Sequence, residues 1–578
     1  MTITGRIAMP DAATGDSIDA GRRLVRLGDG GLSLSEKMAT RFRRFVWRTP
    51  LHRLRLRGKF PLKLVAVPED PIPGDRTRGQ ALLEGRALYH GAQIGLADLD
   101  FGALDVPHGL ADYLQSFEWL RDLAAVAGRD ETAPIAEKLM RNWLEAYAPK
   151  VAESGWGPDM WGQRIFFWTA YAPLILSSTD LVYRSTVLNT LARGARHLDR
   201  AATKESPGLT QVRAWAGIVG AGLLVQGGEP RVARGEAGLA RALAQTLTSD
   251  GGVICRSPVS QLALVETLGM LRAAYDVRRI EFPQPFQNAV SFAVPALLGV
   301  TMGDGGLSSW QGGLPVPAGR VAAAVEASGH RALPLRHARD WGYQRLAAED
   351  TIAIVDAAPP PSMRLETGGC ASTLAFEMSH GPHRIVVNCG GAGGSLLPPA
   401  LAEGLRTTAA HSTLALADSN STALNGDGSL GRGVVEIEMS RRDRNGIARL
   451  EASHDGYVQR YGFVHRRQIG LSKEGDELRG EDVLLPGGRH KAESAAFAIR
   501  FHLGPDVDVT PTADNRGALL RIEGGPAWHF RCRGTGLMID ESIWIDEKSR
   551  ITETKQLVLA GETAPGGATI GWLFRRAG

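Results

Sequence analysis

The chain has 578 residues, 43% of them hydrophobic and 22% charged, which is too long for one hydrophobic core and predicts two large domains or three smaller ones with sizeable interiors. Lys plus Arg number 66 against 62 for Asp plus Glu, and a net charge of +4 spread over this length argues against a nucleic-acid partner. The four cysteines, Cys255, Cys370, Cys389 and Cys532, are too few and too scattered for a disulfide framework, and no CxxC pair occurs.

In chain order, the opening MTITGRIAMPDAATGDSIDAG lacks the apolar stretch of a secretory signal, and no run of about 18 apolar residues follows it. The expectation is therefore a cytoplasmic protein, with a periplasmic one as the alternative. From Arg41 to Lys59 the segment RFRRFVWRTPLHRLRLRGK carries eight basic residues and no acid, interleaved with Phe42, Phe45, Trp47, Leu51, Leu54 and Leu56. Such a basic amphipathic stretch either touches anionic lipid or is a solvated helix whose arginines pair elsewhere.

The next part reads as helices. Residues 112–128 (DYLQSFEWLRDLAAVAG), 133–148, 160–176 and 181–202 all place apolar residues three and four apart, and four more such segments follow before residue 300. Short Gly, Pro or Asp punctuation (GGEP, SDGG, GDGG) separates them, so consecutive helices form antiparallel hairpins that close into an α/α toroid or extend as a solenoid. From about residue 350 the pattern changes to short alternating runs between turns, among them TIAIVDA, HRIVVNCGG, GVVEIEMSRR and FAIRFHLG, which describes an antiparallel β-sandwich. The expected division is an N-terminal extension over 1–75, a toroid over 76–335 and a sandwich over 345–578, with any ligand site in the cleft between domains.

No phosphate loop, HExxH or GxSxG motif is present, and GGAGGS at 390–395 reads as a turn. Four stretches nevertheless carry a family likeness: GWGPDMWGQRIFFW (155–168), TLAFEMSHGPHRIVVNCG (373–390), RTTAAHSTLALAD (406–418) and DGYVQRYGFVHRRQI (455–469). Through them the chain resembles the heparinase II/III-like proteins, which join an α/α toroid to an antiparallel β-sandwich. The resemblance implies a polysaccharide lyase acting on an acidic, uronic-acid-containing polymer by β-elimination. That chemistry needs a group to neutralise the uronate carboxylate, a Tyr or His base at C5 and an acid at the leaving O4.

Matched position by position, the family's catalytic set is incomplete. The His-x-His-x-Asp segment falls on 368–372, which holds neither histidine; the Asp that can bind metal in the family falls on Asn388; and the toroid Asn falls on Phe167. His411, Arg164 and Trp168 match. Three readings follow. In a divergent lyase, Tyr171, Tyr457, Tyr461, His454 or His465 would serve as base and acid, with Arg164 or Arg256 on the substrate carboxylate, since a guanidinium binds a carboxylate bidentately. In a non-catalytic glycan-binding or envelope-assembly module, Trp156, Trp161, Trp168 and Arg406 would hold an anionic sugar chain. In the third, no cofactor is needed for catalysis, but Cys370, Cys389 and His411 rebuild a structural zinc site. The plain alternatives are that Tyr171 and Trp168 are core, that the arginines pair at the domain interface, that the thiols are buried and inert, and that His411 only orders the sandwich face.

Overall fold

The computed structural model describes residues 17–26, 38, 42, 45–47, 49–58, 63–151, 153–362, 368–392, 396–445, 447–488 and 491–577. Helices from Arg76–Leu83 to Ala318–Ser328 build an α/α toroid around one continuous apolar cluster. The expected helix over 112–128 is in fact two, His108–Ser116 and Trp119–Ala124, because Phe117 turns the chain with a left-handed φ of 68°. That turn sends Phe117 and Trp119 into the toroid beside Trp143 and Trp168, and burial of these rings outweighs the local strain. Helices Pro158–Ala170 and Leu209–Leu224 approach closely at Gly162, where a Cβ would lie 2.2 Å from the Arg213 carbonyl oxygen. Gly194 likewise leaves room for the Trp161 ring.

Two antiparallel sheets form the sandwich. The larger runs Ser17–Val25, Glu436–Arg444, Ile447–His454, Phe463–Leu471, Glu477–Pro486, Ala568–Arg576, Trp528–Arg533, Gly517–Ile522 and Val507–Pro511. Its edge strand comes from the segment expected to be an N-terminal extension. Ser17–Val25 is too polar to announce itself, and pairing with Glu436–Arg444 is what makes it a strand. The second sheet runs Leu537–Ile545, Ile551–Glu562, Ala496–Leu503, His383–Val387, Phe376–His380, Thr351–Asp356 and Tyr343–Ala348, with Leu414–Leu416 added against Ala496–Leu503. Strict alternation in Phe463–Leu471 sends every second residue into the core. There Phe376 stacks on Trp572 with centroids 5.3 Å apart.

The two halves are joined by buried polar contacts. Arg256 of the toroid pairs with Asp356 of the sandwich at 2.5 Å, and the Trp341 indole donates to the Val253 carbonyl at 2.9 Å. Among the described residues no helix is long and apolar enough to cross a membrane.

Candidate functional site

The expected cleft between the domains is bridged by the Arg256–Asp356 and Trp341–Val253 contacts, and inside the toroid little space remains. Helices Pro158–Ala170 and Pro258–Val277 leave a cavity of about 40 Å³ beside Glu118, Arg121, Phe167, Arg213, Glu266 and Arg320. Ligand sites usually run from roughly 300 Å³ upward, and a liquid water occupies about 30 Å³. A sugar ring does not fit.

Charge closes the axis as firmly as volume does. Arg121 pairs with Asp70 at 2.9 Å, Arg320 with Glu266 at 2.7 Å and Glu118 at 3.5 Å, and Arg78 with Asp122 at 3.1 Å and Glu118 at 3.7 Å. Burial pushes Glu118 up, but Arg320 and Arg78 more than reverse it and hold the carboxyl low; burial dominates at Asp122 and raises it. Arg213 stands among Asp159, Glu266 and Glu118, its Nε without a hydrogen bond. Nothing in the sequence marks this network, because Asp70, Arg78, Arg213 and Arg320 are far apart in the chain and belong to no motif.

The expected catalytic residues are each engaged by neighbouring protein groups. Tyr171 donates its hydroxyl to Asp70 at 3.0 Å, and burial together with that carboxylate pushes its pKa up, so it is a poor proton acceptor at neutral pH. Phe167, in the family's Asn position, lies under the Arg121 guanidinium, 5.1 Å from the ring centroid. Arg164 is 0% exposed. It donates to the Gln115 carbonyl at 2.5 Å, to the Gly155 carbonyl and to Gln115 Oε1 at 3.1 Å, and it lies over the Trp143 ring. Burial pushes it down to about 9, only partly opposed by Asp159. It buttresses the helix ends and reaches no solvent.

Arg256 donates to the carbonyls of Trp341 and Pro359 besides pairing with Asp356, which locks the domain interface. The expectation that Trp156, Trp161 and Trp168 grip a sugar is corrected outright: they are 0%, 0% and 1% exposed and pack on one another and on Trp143. Trp161 and Trp168, seven residues apart on helix Pro158–Ala170, have the spacing of core residues, and Trp156 ends the short helix before it. Arg406 donates to the Gly369 carbonyl at 2.9 Å and ties two sandwich loops together.

In the sandwich, His411 is 1% exposed and donates Nδ1–H to the Thr407 carbonyl at 2.7 Å; burial lowers its pKa, so it is neutral. Its neighbour Ser412 takes a bond from Arg467 on its carbonyl and gives one to Val387, so the HST stretch is a crossing point of the sandwich. The three proposed zinc ligands do not converge. Cys370 Sγ donates to the Gly368 carbonyl, while Cys389 lies 3.5 Å from His502 Nδ1 and is pushed up to about 11 by burial, far from a thiolate. Among the described residues no group of three or more His, Cys, Asp or Glu could hold a metal.

His454 and His465 are likewise buried, at 2% and 0% exposure, and form a chain to Asp482: His465 meets His454 at 3.1 Å and Asp482 at 2.7 Å. Arg467 and the Trp572 indole complete that carboxylate's partners. Tyr457 donates to the Leu414 carbonyl and Tyr461 meets Ser419 at 2.5 Å. Tyr461, part-exposed, lies beside Arg460, which has no carboxylate partner among the described residues and donates to Ser419 at 3.3 Å; the other expected tyrosines and histidines are buried or bonded to protein.

Of the basic segment, Arg41, Arg43, Arg44, Arg48 and Lys59 lie outside the described residues. What is described docks on the toroid through Trp47, Leu56 and a His52–His197 contact of 3.2 Å, and leaves Phe42, Phe45, Leu51 and Leu54 exposed.

A toroid of helical hairpins with a two-sheet sandwich after it is the architecture shared with solved heparinase structures. Residues 330–573 match the heparinase II/III-like C-terminal family, so the match covers the sandwich half of the chain. A crystal structure of heparinase III superposes with a TM-score of 0.66 at 12% identity, over 96% of this chain and 93% of that one. Heparan sulfate lyase HepC from Pedobacter heparinus gives 0.56 at 13% identity, over 87% and 82%. By sequence, FtsZ-localized protein C of Caulobacter vibrioides is 29% identical over 552 residues, covering 91% of this chain and 92% of that protein.

Proposed function

We propose that this protein keeps the heparinase fold as a non-catalytic scaffold and works at the site of cell division, on the cytoplasmic side of the membrane. The observation that carries the first half is the closed toroid axis, with about 40 Å³ of space and every expected base or carboxylate-binding group engaged by protein. β-Elimination on a uronic-acid polymer, the activity the fold family suggests, would need that axis to open and expel paired charges. The second half rests on the likeness along nearly the whole chain to a protein whose name places it with FtsZ. The exposed Phe42, Phe45, Leu51 and Leu54, set among arginines, supply a surface suited to anionic lipid.

A fluorescent fusion of the full chain tests this reading. It is expected to concentrate in a midcell band that disperses when FtsZ is depleted. A diffuse fusion, or a band unaffected by FtsZ depletion, removes the division-site role.

A further inference from the structure

The outer face of the larger sheet, turned away from the sandwich core, holds a groove of about 810 Å³ that none of the groups above uses. Register builds its walls. Arg442 stands opposite Arg449, Arg449 opposite Gly470, Gly470 opposite Arg479, Arg479 opposite Leu573 and Leu573 opposite Arg531. One line across the strands therefore carries four arginines, and Arg533 stands two residues from Arg531 on the same strand, opposite Gly571; Glu451 and Glu481 line the groove beside this row. Like charges directly opposite each other weaken a sheet, so folding alone does not favour Arg442 beside Arg449.

Two of these arginines are neutralised, Arg479 by Glu477 and Arg531 by Asp514 at 2.7 Å. Arg442, Arg449 and Arg533 are exposed and have no carboxylate partner among the described residues. The floor is equally telling. A Cβ at Gly470 or Gly571 would meet nothing closer than 3.6 Å and 3.9 Å, so packing does not require glycine there. Glycine weakens a strand interior, and at these outward positions its effect is to leave a trough between guanidinium groups.

The geometry points to a docking groove for an extended acidic peptide segment with carboxylates at about every third residue. This rests on the scaffold reading in one respect, that the partner is a protein. Three features favour a peptide. The trough is concave, which a flat bilayer cannot follow. Its one aromatic ring, Trp572, is 3% exposed and offers no platform for a sugar. Arg449, Arg479 and Arg531 recur on every second strand, roughly 10 Å apart, and a polyproline-type peptide repeats every three residues at about 9.3 Å. Arg449 is free to take a carboxylate bidentately, and Arg479 and Arg531 can do so by exchanging Glu477 and Asp514 for the peptide.

The test uses the purified full chain and a fluorescein-labelled Glu-Pro-Pro repeat peptide, read by fluorescence anisotropy. Saturable binding that weakens with salt is expected, with no binding of a Lys-Pro-Pro repeat. The surface variant Arg442→Glu/Arg449→Glu/Arg533→Glu is expected to bind the peptide roughly tenfold more weakly or worse, with unchanged circular dichroism and melting. Absence of saturable binding, or equal affinity in the variant, overturns the inference. So does heparin or anionic-vesicle binding that the variant loses while the peptide binds neither protein. Because the readout involves neither FtsZ nor cells, its failure is separable from failure of the division-site reading.

Discussion

Replacing Asp482 with Asn puts the sandwich interior to its sharpest test. The carboxylate is 0% exposed and accepts from Arg467 Nε at 2.7 Å, Arg467 Nη2 at 2.9 Å, His465 Nε2 at 2.7 Å and Trp572 Nε1 at 2.8 Å. Burial pushes its pKa up, but Arg467 and His465 overcome that and hold it well below the usual carboxylate range, so it is charged at neutral pH. The carboxamide would keep the shape, lose the charge and turn an NH2 group toward donors. Arg467, 2% exposed, would become a buried cation without its partner. Breaking a buried pair in this way costs about 3–5 kcal/mol. For a domain of this size each kcal/mol lowers the melting temperature by about 2–4 °C, so a fall of about 6–20 °C is expected. Thermal melting and urea unfolding at pH 7, followed by tryptophan fluorescence, measure the shift and the free energy, with the exposed Asp508→Asn as a control expected to stay within about 0.5 kcal/mol. An Asp482→Asn protein within about 1 kcal/mol of the parent would refute the claim that His454, His465, Arg467 and Asp482 form a structural network.

Acid should destabilise the protein well before its carboxylates titrate. Burial lowers His197 and His502 to about 3, below the 6.5 of the unfolded chain, so their stabilising effect is present above pH 6.5 and lost as pH falls toward 3. Between pH 6.5 and 5 each costs about 2 kcal/mol, and the denaturant midpoint should fall accordingly; a midpoint flat over that range contradicts this. Gly162→Ala, which drives a Cβ into the Arg213 carbonyl oxygen, should lose about 1–3 kcal/mol, read as a lower melting temperature; an unchanged one denies the close helix contact. Phe167→Asn restores the family's residue but not its site. It should lose about 3–5 kcal/mol and gain no turnover on heparan sulfate or alginate, and turnover appearing in this variant would show that one side chain had closed the axis.

The architecture was legible because it is written in periodicities: three-and-four spacing up to about residue 300, then alternation from Thr351 onward. Trp156, Trp161 and Trp168 illustrate the limit. A tryptophan on a helix is equally compatible with a cleft and with a core, and only the packing of Trp143 and the glycine-mediated contact with helix Leu209–Leu224 decides for the core. The site was legible chiefly as a deficit, the missing histidines of 368–372 and Phe167 in place of Asn. The charges filling the axis were not, because Asp70 and Arg121, or Glu266 and Arg320, meet only once the toroid closes. His411 shows a third case: the motif found the right residue, and its buried bond to Thr407 makes it a fold marker.

The most direct measurement of the closed-axis claim is the ultraviolet absorbance of unsaturated uronate ends during incubation of the purified chain with a panel of uronic-acid polymers. No rise above the protein-free control is expected for any polymer, heparan sulfate and alginate included. A steady rise that Tyr171→Phe abolishes while the protein stays folded would contradict it.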